Sequence, residues 1–163
     1  MKNIFITPDD PLDQDDAIPI TPPASHADCM VCGGGRSLGL RFIPDGLGSV
    51  VATIDVDGAW QGYAGVMHGG MVSTLLDAAM THCLFHHEVH AMTASLKVRF
   101  LAPVPCSGQI EVRATLSDRR HRMYSLDAQL VSSGRILARA EARFIKSSNG
   151  LMPSTMKQHG HLG

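Results

Sequence analysis

His68, Gly69 and Gly70 open an apolar run, and a single carboxylate, Asp77, stands inside that run two helical turns further on. Each of these residue types suits acyl transfer. The first turn of a helix leaves backbone N–H groups unpaired and partly positive, which favours a developing oxyanion. Glycines at that turn let a ligand approach the backbone with no Cβ in the way. A carboxylate supplies the base or the nucleophile. The spacing adds a constraint. Seven residues separate Gly70 from Asp77, roughly 10 Å at the helical rise, too far for both to act on one carbonyl. A second copy of the helix, antiparallel across a two-fold axis, would bring its Asp77 to the first copy's Gly70. Ser73 and Thr81, four residues either side of Asp77, share its strip of the helix surface.

Other groups carry less. Cys29 and Cys32 form one C-x-x-C with His26 nearby, but no second pair of ligands follows, so the reading is packing and no metal. His82, His86, His87 and His90 gather at the end of the helical run, where its dipole favours them, and HHEVH is one residue short of H-E-x-x-H. Met71, Met80 and Met92 suit core or pocket lining. Arg119, Arg120, His121 and Arg122 make a compact basic turn, either simply solvated or a dock for phosphates, with Arg99, Arg139 and Arg143 as further candidates. Neither a Walker-type loop nor G-x-G-x-x-G is present.

The elements that must hold these groups are mostly strands. SLGLRFIP and GSVVATIDV flank Asp45-Gly46, a hairpin turn. The helix follows over about Gly70–Phe85, with Val72, Leu75, Leu76, Ala79, Met80 and Cys83 as an apolar stripe. MTASLKVRF puts Leu96, Val98 and Phe100 on one face and Ser95, Lys97 and Arg99 on the other. QIEVRATLSD, MYSLDAQLVSS and RILARAEARFIK add three strands, joined by turns at Asp118–His121 and Ser133-Gly134. Connections this short require antiparallel pairing, and the one apolar helix must cover one face of the sheet. The fold class is α+β, a curved antiparallel sheet of about six strands wrapped around one central helix.

Composition bounds the function. With 44% apolar and 18% charged residues, the chain reads as a soluble globular domain. A formal charge of -1 gives no field favouring nucleic acid or an anionic membrane. No stretch reaches transmembrane length or makes a signal-peptide core, and four cysteines in 163 residues suggest reduced thiols and a cytoplasmic setting. Residues 1–24, rich in Pro and Asp, read as an extended arm. Residues 25–147 make the domain, and 148–163 a flexible tail.

The His68-Gly69-Gly70 motif followed by Leu-Leu-Asp, with Asp77 nine after the histidine, resembles the hotdog-fold thioesterases of the PaaI-like acyl-CoA branch. The resemblance extends over residues 25–146 through Cys29-Met-Val-Cys32-Gly33, Gly39-Leu40, Phe42, Trp60-Gln61-Gly62-Tyr63, Met92-Thr93-Ala94 and Phe100-Leu-Ala-Pro103-Val-Pro105. It implies a homodimer with two composite sites, sometimes a dimer of dimers, acting on an acyl-coenzyme A substrate without any cofactor. It carries the catalytic carboxylate onto Asp77, the oxyanion amide onto Gly70, the motif histidine onto His68 and a water-holding hydroxyl onto Thr93. Gln61, beside the Gly62 that stands where some relatives have Asn, joins Gly69, Ser73, Arg119, Arg120 and Arg122 as a substrate-binding expectation. A thiol leaves with a pKa of about 8.5, so hydrolysis needs no general acid. Two alternatives share the fold: enoyl-thioester hydration, and non-catalytic binding of acyl-CoA or acyl carriers. Release of free thiol from acyl-CoAs distinguishes them.

Overall fold

Period-two alternation decides most of the sheet. A computed structural model describes residues 17–46 and 48–146. Six strands are present there: β1 Ile43–Pro44, β2 Ser49–Asp55, β3 Met92–Phe100, β4 Gln109–Arg120, β5 Met123–Ser132 and β6 Arg135–Ile145. One helix, α1 Gly69–His86, lies between β2 and β3. The spatial order is β1-β2-β4-β5-β6-β3, and every pairing is antiparallel. The insertion of α1 displaces β3 to the far edge, where it pairs with β6 alone.

The face that meets the helix is built from alternate residues. On β6, Ala138, Ala140, Ala142 and Phe144 are buried, while Arg139, Glu141 and Arg143 point the other way and are exposed. Ile110, Val112 and Ala114 of β4 and Tyr124, Leu126, Ala128 and Leu130 of β5 continue this inner face. The three alanines of β6 leave room for the helix to lie close to the sheet. Ser133 (φ 49°) and Gly134 (φ 74°) both take the left-handed conformation, which makes the expected two-residue turn.

Three expectations change. The first strand shrinks to Ile43–Pro44, because residues 37–42, with Phe42 packed against His82 of α1, instead run as irregular chain. Their backbone pairs there, Ile20 N–H donating to Phe42 O (2.8 Å) and Leu40 N–H to Val31 O (3.0 Å). Strand β4 continues through Arg120, so the next turn is only His121 and Arg122, not Asp118–His121. The helix is buried beyond its stripe, since Ala78, His82 and Leu84 are also enclosed. Residues 1–16 of the arm and the tail from 147 onward lie outside the described residues.

Candidate active site

Asp77 sits half-buried on α1, and Thr93 at the start of β3 donates its hydroxyl hydrogen to Asp77 Oδ1 at 2.8 Å. Burial raises the carboxyl's pKa above the ordinary aspartate value, and the Thr93 hydrogen bond pulls it partly back. The result is a carboxylate held in one orientation and more basic than usual. It lines a cavity of about 490 Å³, along with Ser73, Thr74, Ala78, Thr81, Thr93 and Leu96. The opposite wall is His26, Cys29, Met30, Val31 and Cys32. Ser73 donates to Gly69 O (2.9 Å) and Thr74 to Gly70 O (2.9 Å), so both hydroxyls are satisfied along their own helix.

The helix N-terminus lies elsewhere. His68, Gly69, Gly70 and Gln61 are absent from the Asp77 cavity. His68 is the N-cap, and its Nδ1 accepts the Gly70 N–H at 2.9 Å. The amide expected to stand open is therefore occupied by the neighbouring ring, and Gly69 N–H is left without a partner among the described residues. A neutral ring that accepts at Nδ1 carries its proton on Nε2, so His68 presents an exposed Nε2–H donor. Gln61 Oε1 accepts from Gly65 N–H at 2.7 Å, fixing the loop that leads to His68. Gly62 belongs to the same loop, and a Cβ there would come within 3.1 Å of His68 Cα. A larger residue at 62 would push on the motif histidine.

The arginines also occupy a separate place. Arg120 pairs with Asp118 at 2.8 Å, Arg119 lies 5.5 Å over the Tyr124 ring, and Arg122 donates to Lys146 O at 2.6 and 2.9 Å. None of them lines the cavity. Register relates them to it, however. Arg119, Tyr124, Phe144 and Thr93 are successive partners across β4, β5, β6 and β3. Three strand spacings, roughly 14 Å, thus separate Arg119 from Thr93 at the same end of the sheet. Arg99, Arg139 and Arg143 are exposed, and Arg139 and Arg143 alternate with the inward alanines of β6, on the outer face.

His82 differs from the expectation. It is 2% exposed, and neither ring nitrogen has a partner among the described residues. Its ring stacks on Phe42 at 4.5 Å, and burial, with His26 and Arg41 nearby, pushes its pKa down to about 4. A neutral ring gains nothing from the helix dipole. The signal was in the spacing: His82 stands seven after Leu75 and three after Ala79, inside the apolar stripe.

Comparison with known proteins places this geometry in context. The sequence profile of the thioesterase superfamily matches residues 64–148. Acyl-coenzyme A thioesterase THEM4 of Mus musculus is 31% identical over 88 residues, which cover 53% of this chain and 38% of that protein. The Bos taurus protein of the same name is 30% identical, covering 53% and 36%. The chain thus spans well under half the length of these curated relatives. Among solved structures, a mutant of the phenylacetic acid degradation protein PaaI from Thermus thermophilus superposes with a TM-score of 0.62 at 22% identity, covering 68% of this chain and 95% of that one. Zebra fish thioesterase superfamily member 2 gives 0.64 at 17% identity, covering 76% and 93%. These likenesses establish the hotdog fold, one central helix in a curved six-stranded sheet. With just over half its length matched by the family profile, the chain belongs to the thioesterase superfamily.

Proposed function

We propose that this protein hydrolyses an acyl-coenzyme A thioester to a free acid and coenzyme A, at a site completed by two copies of the chain. The observation that carries the reading is Asp77: a lone carboxylate oriented by Thr93, made more basic by burial, on the wall of a cavity. Asp77 either takes a proton from the attacking water or attacks the carbonyl itself to form an anhydride. The tetrahedral oxyanion needs N–H donors. Those on offer are Gly69 N–H, and Gly70 N–H once the His68 ring turns aside, with His68 Nε2–H beside them. All three lie about two turns of helix from their own Asp77, roughly 10 Å, and so serve the Asp77 of a partner.

The edge strand supports the pairing. Leu96, Val98 and Phe100 share the inner face with Ala142, Ala140 and Ala138, yet Leu96 is 37% and Phe100 54% exposed in the single chain. An apolar edge strand with unpaired backbone is a surface that proteins ordinarily cover. A second copy does so here. Arg119, Arg120 and Arg122 are offered as the dock for the phosphates of coenzyme A, at a distance from Thr93 that an extended pantetheine arm spans.

The test is release of free thiol from a panel of acyl-CoAs by the wild-type chain and by Asp77→Asn. Turnover that falls by about a hundredfold or more, as loss of a general base predicts, supports the reading. Thiol release unaffected by the substitution, or absent from the wild type across the panel, overturns it.

A further inference from the structure

The wall of the cavity that faces Asp77 is a tight knuckle. Gly33 N–H donates to Cys29 O (2.8 Å), Gly34 N–H to Ala27 O (3.0 Å) and Cys29 N–H to His26 O (3.0 Å). Val31 N–H points at Cys29 Sγ from 3.4 Å. A Cβ on Gly33 would lie 2.6 Å from both Ala27 O and Cys29 O, so only glycine lets the chain turn this sharply after Cys32. Arg41 clamps the turn from outside, donating to Cys32 O at 3.0 Å.

The turn brings three ligand atoms together. A ring nitrogen of His26, Cys29 Sγ and Cys32 Sγ all lie within 4.8 Å of one another, and His26 Nδ1 is 3.7 Å from Cys32 Sγ. Around a tetrahedral zinc with metal–sulfur bonds of about 2.3 Å and metal–nitrogen bonds of about 2.0–2.1 Å, ligand atoms stand roughly 3.5–3.8 Å apart. The cluster therefore needs only a small contraction. His26 is held by its ring packing edge-on against Phe85 of α1, at 4.8 Å between centroids. A second observation points the same way. His82 lines the same cavity, almost fully buried, with both ring nitrogens unpartnered among the described residues. Such a group is costly unless something polar meets it.

We propose that His26, Cys29 and Cys32 bind one zinc-type divalent cation through Nδ1 and two thiolate sulfurs, with the fourth position open to the cavity they share with Asp77. Binding forms two metal–sulfur bonds and one metal–nitrogen bond and releases the two thiol protons to solvent. Water fills the fourth position, and His82 has a nitrogen to spare for it. The cation ties the segment from His26 to Cys32 into a fixed wall of the cavity. A Cys29–Cys32 disulfide would employ the sulfurs alone and leave the convergence of His26 without a purpose. The site is independent of the thioesterase reading, since Asp77 is not among its ligands.

The experiment uses the full chain, stripped of metal and kept reduced with a phosphine, titrated with Co²⁺ and then Zn²⁺. One equivalent of Co²⁺ per chain gives thiolate-to-cobalt charge-transfer and tetrahedral ligand-field bands, which Zn²⁺ abolishes. Cys29→Ser and Cys32→Ser lose the bands, His26→Ala weakens binding by about tenfold or more, and Asp77→Asn binds as wild type does. Zn²⁺ also shields Cys29 and Cys32 of the unmutated chain from alkylation, mapped by mass spectrometry, while leaving Cys83 and Cys106 as they were. This arm stands even where a variant fails to fold. The proposal is overturned if Co²⁺ binds without charge-transfer bands or not at all, or if alkylation ignores Zn²⁺.

Discussion

Thr93 and Asp77 form a pair whose two members act differently. The hydroxyl donates to Oδ1 and so favours the charged carboxylate, while burial opposes it and has the larger effect. Thr93→Ala removes the favourable part alone. The Asp77 pKa then rises further, and the rising limb of the kcat profile moves to higher pH. In addition kcat falls by about ten- to a hundredfold with KM little changed, as loss of one transition-state hydrogen bond predicts. An unshifted pH profile in stopped-assay kinetics would make Thr93 an ordinary strand residue. Stability carries the opposite sign from activity. A carboxyl whose folded-state pKa is raised contributes most below the ordinary aspartate range, and that contribution is lost as pH rises through the raised value. Asp77→Asn should therefore hold or increase the Tm at neutral pH while activity falls. Loss of activity that tracks a lower Tm would mark Asp77 as structural.

At the scale of elements, α1 has an unusual start and a tightly packed middle. Its N-cap is a histidine ring rather than a hydroxyl or carboxamide, and the ring accepts from Gly70 N–H. His68→Ala deletes one cap, which costs about 0.5–1 kcal/mol in an exposed position, readable by urea unfolding. A role confined to capping would leave kcat alone, so a fall of about tenfold, the size of one lost hydrogen bond, assigns the ring to the thioester carbonyl. Further along, α1 packs against Ala138, Ala140 and Ala142 of β6. Ala140→Leu inserts volume where the helix already lies close, and should lower stability by about 1–3 kcal/mol. Unchanged unfolding would show that the helix can move away from β6 at little cost.

For the whole molecule, the question is what covers the β3 edge. Leu96, Val98 and Phe100 alternate inward as a core strand does, but β3 is the sheet's edge, and Leu96 and Phe100 stay exposed in the single chain. Phe100→Asp places a charge on that strip. It should give a folded monomer by sedimentation, without thiol release, because each chain alone keeps Asp77 and the helix N-terminus apart. Full activity in that monomer would defeat the two-copy site. Complementation tests it from the other side. Asp77→Asn and Gly70→Pro chains, each inactive, should regain activity on mixing, since one hybrid site keeps an intact carboxylate and an intact N-terminus. Proline is tolerated in a helix's first turn, so the Gly70→Pro chain retains a route to folding.

The parts of this protein that were legible in its residues are those decided by local period and local chemistry. Alternation along residues 92–145 sets which side chains of β3 to β6 face inward, because a strand has only two faces. The antiparallel class followed from short connections, and the helix from its apolar spacing. The family pattern around His68 and Asp77 is local as well, so it could be read directly. What the sequence did not disclose depends on approach in space. The 37–42 segment alternates like a strand but finds its backbone partners in residues 20, 30 and 31, a choice made by packing outside the segment. The engagement of Gly70 N–H by His68 depends on a rotamer, and the remoteness of the arginine turn depends on strand order. The Cys29–Cys32 pair looked two ligands short of a metal site when spacing was the only guide. The fold brings His26 to the two sulfurs and sets a buried, unpartnered His82 on the same cavity, and it does so because the irregular chain before β1 packs across the middle of α1.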